Sequence, residues 1–226
     1  MATIVLVHGL WSDGSSWSQV IPELLSRGHR PVAAQLSLES MDDDVASVRR
    51  TLATVAGPVL LVGWSYGGAV VGEAARGVSA VKALAYVAAF APAEGESVSE
   101  LSRRQPGSLI PNHVVVADGY TYIDRDHFGE VIAADAPEGV VAVAAAVQRM
   151  VKIGVDRVKV GRPAWLDLPS HYLLATADNA VPTALQRDMA QRMGAVVTEL
   201  DSSHAPMLSR PQEIAGFLDG ACAGME

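Results

Sequence analysis

Several things are scarce in this 226-residue sequence, and each scarcity narrows the reading. Cysteine occurs once, at Cys222, so no disulfide can form within the chain. No residue near it supports a nucleophilic role, and it reads as a packing or surface thiol compatible with a reducing compartment. Basic residues are outnumbered, with 17 Lys and Arg against 25 Asp and Glu, for a net charge of -8. With no basic cluster anywhere, nucleic-acid binding is not expected. No apolar run approaches the length of about 20 residues that spans a bilayer. The first residues read directly as a strand, without the basic and apolar regions of a secretory leader. The expectation is a soluble, cytoplasmic protein without a membrane partner. Ligand spacings typical of metal sites are missing, as is a glycine loop leading into Lys-Ser/Thr, so neither metal nor cofactor is expected.

What is present is globular. Apolar residues make up 50 % and charged residues 19 %, and the length suits one domain with a substantial core. Short apolar runs alternate with helix-compatible segments, the pattern of βαβ units and a parallel sheet. Strands are expected near 2–7, 31–35, 58–63, 82–89, 170–176 and 195–200. Helices are expected near 16–27, 43–55, 66–77, 183–193 and 211–221. Asp42, Asp43 and Asp44 place negative charge at a helix start, where the macrodipole favours it. Pro211 suits a first helical turn, where its missing N–H needs no partner.

Chemistry enters at Gly63-Trp64-Ser65-Tyr66-Gly67, directly after the apolar run Pro58 to Val62. The pattern G-x-S-x-G between a strand and a helix is a nucleophile elbow, a turn so sharp that it needs small residues on both sides of the serine. A second apolar run, Ala2 to Val7, ends in His8-Gly9-Leu10-Trp11. A His-Gly step there resembles the oxyanion loop of the α/β-hydrolase family.

That resemblance extends over essentially the whole chain, through Asp13 to Trp17, Asp178 to Pro182 and Ser203-His204. With these residues the chain resembles small bacterial α/β-hydrolases akin to plant methylesterases and hydroxynitrile lyases. The resemblance implies an α/β-hydrolase fold of about six mostly parallel strands flanked by helices, without the usual first antiparallel strands. It implies an oxyanion hole from the N–H groups of Leu10 and Tyr66, where one lost donor costs about 3–4 kcal/mol of barrier. It also implies the chain order nucleophile, acid, histidine. His8 and His29 precede Ser65, His113 and His127 fall in an insertion, and His171 opens a strand. His204, in a polar loop between a strand and a helix, takes the place of the general base. Asp178, after the strand Tyr172 to Thr176, takes the place of the acid, with Glu94 and Glu96 as substitutes from an earlier strand.

The alternation breaks between about Ala91 and Pro163, too long for a simple connection. In the family this is where a cap is inserted. Residues 1–90 and 163–226 are thus expected to form the core and 91–162 a helical cap, with helices near 126–134 and 138–150. Tyr120, Tyr122, His127, Phe128 and Met150 are candidate pocket residues there, with Trp11 and Trp64 from the body. Trp17 and Trp165 read as structural.

The expected reaction is hydrolysis of a carboxylic ester or lactone through an acyl-enzyme on Ser65, on a small to medium substrate given so few aromatic residues and a short cap. Lyase members of that branch carry Thr after the first oxyanion-loop histidine and Lys after the catalytic histidine. Here those positions are Gly9 and Ala205, and alanine supplies no cation for a departing cyanide. Other lyase chemistry on the same three residues, or ligand binding with little turnover, are the alternatives. An acidic surface is compatible with a monomer or a homodimer.

Overall fold

The structure is a computed structural model, and it describes residues 1–225. The first part of the chain alternates strand and helix: β1 (Thr3–Val7), α1 (Val20–Ser26), β2 (Arg30–Ala34), α2 (Met41–Leu52), β3 (Val59–Trp64), α3 (Gly67–Ala74) and β4 (Val81–Val87). An intervening segment holds α4 (Val98–Ser102), α5 (Ile110–His113), β5 (Val114–Ala117), β6 (Tyr120–Ile123), α6 (Phe128–Ile132), α7 (Glu138–Val147) and β7 (Val151–Lys152). The alternation then resumes with β8 (Ser170–Ala175), α8 (Thr183–Met193), β9 (Val196–Leu200), α9 (Pro206–Ser209) and α10 (Pro211–Ala221).

Six strands form one sheet in the order β2-β1-β3-β4-β8-β9, every neighbouring pair parallel. Every residue of β1 and β3 is buried, because helices cover both faces of such a sheet and leave it no polar side. Helix α1 packs with α10, and α2 with α3. Local chemistry fixes the helix starts. The Ser40 side chain accepts a hydrogen bond from the Asp43 N–H ahead of α2, whose first turn carries Asp42, Asp43 and Asp44. The expected helix over 16–27 divides instead into a tight 3-10 turn at Gly14–Trp17, capped by Asp13, and the shorter α1.

The intervening segment contains the helices expected in it, as α6 and α7, and more besides. A three-stranded antiparallel sheet, in the order β5-β6-β7, was not anticipated. Its strands have only two to four residues, too few for an alternation to stand out. The sign that marks it is Asp118-Gly119, both at positive φ (49° and 79°), the two-residue turn that matches strand twist in a hairpin. The segment lies across loops at the C-terminal ends of the main strands. Trp11 Nε1 donates to Thr121 Oγ1 (3.2 Å), Arg149 to Leu36 O (2.9 Å), Asn179 Nδ2 to Glu130 O (2.8 Å) and the Ala205 N–H to Ile132 O (2.9 Å). Among the described residues no helix is long and apolar enough to cross a membrane.

Candidate active site

Ser65 sits between β3 and α3 with φ at +55°, a left-handed conformation that costs a non-glycine residue about 1–3 kcal/mol and persists only where its surroundings enforce it. They do. The Ser65 N–H donates to Val87 O (3.3 Å), and its carbonyl accepts from Gly68 N and Phe90 N (both 3.0 Å). The flanking glycines are required by space. A Cβ on Gly63 would lie 2.5 Å from Gly67 O, and one on Gly67 would lie 2.6 Å from His8 O.

Tyr66 is anchored from below. Its hydroxyl donates to Asp44 Oδ2 (3.0 Å) on α2, and both residues are fully buried. Asp44 also accepts from Ser37 Oγ (3.0 Å) and the Leu38 N–H (2.9 Å). Burial raises the Asp44 carboxyl above its ordinary value, and burial with the adjacent Asp44 raises the Tyr66 phenol far above its own. This buried link between α2 and the elbow is absent from any motif.

The loop after β1 meets the elbow from the other side. His8 is fully buried, and burial lowers its pKa to about 4. Its Nε2 accepts from the Leu36 N–H (3.0 Å), so the ring is neutral with its proton on Nδ1, which donates to Gly9 O (2.8 Å). That carbonyl belongs to the peptide unit whose N–H is that of Leu10, so the ring fixes the direction of the donor. Among the described residues neither the Leu10 nor the Tyr66 N–H has an intramolecular hydrogen-bond partner. Gly9 has no room for a side chain, since its Cβ would come 2.8 Å from Ser65 Cβ.

His204 and Asp178 meet although far apart in the chain. His204 Nδ1 lies 2.7 Å from Asp178 Oδ2, and both side chains are buried. Asp178 follows β8, and its Oδ1 accepts from the N–H groups of Ala180 and Val181 (both 2.7 Å), which hold the carboxylate in place. Gln186 on α8 completes the arrangement. Its Nε2 donates to Asp178 Oδ2 and Val181 O (both 2.8 Å), and its Oε1 accepts from the Ala175 N–H (3.1 Å). Trp64, the residue before Ser65, donates from Nε1 to His204 O (2.8 Å), and the two rings lie 5.5 Å apart. His204 is thereby seated against the elbow. The substitute acids lie elsewhere: Glu96 pairs with Arg104 (2.8 Å) and Arg192 (2.9 Å), and Glu94 is exposed.

Ser65 opens into a cavity of about 350 Å³ shared with Leu10, Trp11, Phe90 and Thr121. Trp11 also lines a second cavity of about 340 Å³, together with Trp64 and Phe128. Tyr120 and Tyr122, expected at the pocket, lie outside the cavity of Ser65. Alternate residues of a strand face opposite ways, and on β6 it is Thr121 that faces in. Tyr120 instead donates to Glu39 (3.0 Å) beneath Lys152, and Arg125 lies over Tyr122. Met150 is 44 % exposed and also lies outside that cavity. His127 belongs to a separate cluster on the intervening segment. Burial pushes the Cys222 thiol up to about 11, which suits a packing residue. Sequence reasoning missed Gln186 and Asp44, because nothing local distinguishes them from other polar helix residues.

The chain is similar to known proteins over nearly its whole length. Residues 4–217 match the model of the alpha/beta hydrolase family. An alpha/beta hydrolase of Aspergillus novofumigatus is 27 % identical, over 96 % of this chain and 95 % of that protein. A pyrethroid hydrolase of Sphingobium wenxiniae is 29 % identical, over 94 % of this chain and 84 % of its own. The crystal structure of a methylesterase from Arabidopsis, 17 % identical, covers 99 % of both chains with a TM-score of 0.81 and so shares the fold. The chain belongs to the alpha/beta hydrolase family.

Proposed function

We propose that the protein is a serine hydrolase that cleaves carboxylic ester or lactone bonds of small to medium substrates. The observation that carries this reading is the buried 2.7 Å pair of His204 and Asp178, seated by Trp64 against the strained elbow of Ser65. The names of the relatives, hydrolases at 27 % and 29 % identity, support hydrolysis in general.

In this mechanism His204 takes the proton of Ser65 as the hydroxyl attacks the carbonyl carbon. Asp178 holds the imidazole by its Nδ1–H and stabilises the cation that forms. The oxyanion is received by the N–H groups of Leu10 and Tyr66, to which no group among the described residues is hydrogen-bonded. His204 returns the proton to the leaving oxygen, and water, activated by the same imidazole, releases the acid. Residues 91–162 act as the cap that selects substrate, with Trp11 and Thr121 meeting at the boundary between body and cap. Cyanohydrin cleavage is disfavoured. Ala205, next to His204, is buried with its N–H bonded to Ile132 O and brings no cation.

Hydrolysis of p-nitrophenyl acetate, butyrate and octanoate by wild type and Ser65→Ala tests the reading. The expected result is turnover by wild type and a loss of at least about a thousandfold in the variant. A variant that keeps more than about a tenth of the rate overturns Ser65 as nucleophile.

A further inference from the structure

We propose that His113, His127 and Glu130 form a binding site for one divalent transition-metal cation of the zinc type, which clasps α5 to α6. His113 ends α5, His127 directly precedes α6, and Glu130 follows three residues on, on the same helix face. One donor atom from each lies within 4.8 Å of the others. Imidazole nitrogen suits zinc, copper and nickel, and a carboxylate completes a common donor set.

Two further observations favour a cation. The His113 and His127 rings stack at 4.2 Å with planes 20° apart, which sets two imidazoles side by side. The His127 Nδ1 atom is buried yet has no hydrogen-bond partner, with Asp124 Oδ1 at 3.8 Å, beyond bonding range. A carboxylate in the cluster and a second one beside it supply the negative charge that a divalent ion needs. Metal–nitrogen and metal–oxygen bonds of about 2.0–2.2 Å place tetrahedral donors about 3.4 Å apart. Closing from 4.8 Å is within reach of side-chain rotation, because His113 and His127 are only partly buried and Glu130 is exposed.

The site has a structural consequence. Just before α5, the Leu109 N–H donates to Asn179 O (2.8 Å), and Asn179 Nδ2 donates to Glu130 O on α6 (2.8 Å). Asn179 follows Asp178. A cation joining α5 to α6 closes a ring through the residue next to the acid. The expectation of no metal rested on short ligand spacings, and these histidines come together only in the fold.

The test uses protein without a histidine tag, stripped with EDTA and titrated calorimetrically with ZnCl2. One equivalent is expected to bind saturably, at least tenfold more weakly in His113→Ala and His127→Ala. At zinc a hundredfold above the wild-type Kd, Tm is expected to rise by about 5–10 °C in wild type and by clearly less in these variants. Glu130→Gln, at an exposed position, is expected to weaken binding as well and stands in if a histidine variant loses its fold. No stoichiometric binding, or binding unchanged in the variants, overturns the proposal. Both readouts are independent of hydrolytic activity.

Discussion

His8 shows how much one side chain can be asked to do. Its ring must be neutral, since Nε2 accepts from Leu36 while Nδ1 directs the peptide unit of Leu10. Folding lowers its pKa from the ordinary 6.5 to about 4, so between these values the unfolded chain binds the extra proton. The stability that His8 contributes is therefore complete above about pH 6.5, falls as pH drops through that window and is gone below about 4. The gap corresponds to roughly 3 kcal/mol. Urea unfolding of wild type and His8→Gln between pH 4 and 7 should show a clearly shallower pH dependence in the variant; equal slopes would refute the assignment. Ser65, Asp178 and His204 could be singled out as candidates because each sits in a local pattern with a fixed place in the chain. His8 was legible only as half of a His-Gly step, and its bond to Leu36 depends on a strand pairing that no pattern displays.

At the scale of elements, α8 does more than cover the sheet. Gln186 reaches from its first turns to the end of β8 and to the acid turn, and it is fully buried. In Gln186→Ala the Ala175 N–H, Val181 O and Asp178 Oδ2 each lose a bond in a dry setting, where an orphaned polar group costs about 1–3 kcal/mol. A stability loss of about 2–4 kcal/mol is expected by urea denaturation, with a fall in kcat that exceeds any change in KM. An unchanged kcat would mean that Ala180 and Val181 alone hold the carboxylate. The long elements of the body were readable because their apolar runs and caps agree. The hairpin of β5 and β6 and the short α4 were not. Helix α4 exists through its capping box, Ser97 with Glu100, five residues that carry too little periodicity to register.

For the whole molecule, alternation of strand and helix was enough to foresee six parallel strands. Their lateral order was not foreseeable from pattern alone. That order, β2-β1-β3-β4-β8-β9, sets the elbow near the middle of the sheet while Asp178 and His204 follow its last two strands. The order has a consequence in time. The elbow of Ser65 and the loop of Leu10 can be assembled by strands from the first part of the chain. Asp178 and His204 arrive only when β8 has docked on β4 and β9 has closed the edge. Recovery of ester hydrolysis during refolding should therefore coincide with hydrogen-exchange protection of the β8 and β9 amides, and never precede it. Activity returning ahead of β9 protection would show that the histidine loop docks without its strand. On the proposed mechanism, a nascent or partly folded chain can thus expose a shaped serine elbow that stays chemically idle until the last edge of the sheet has formed.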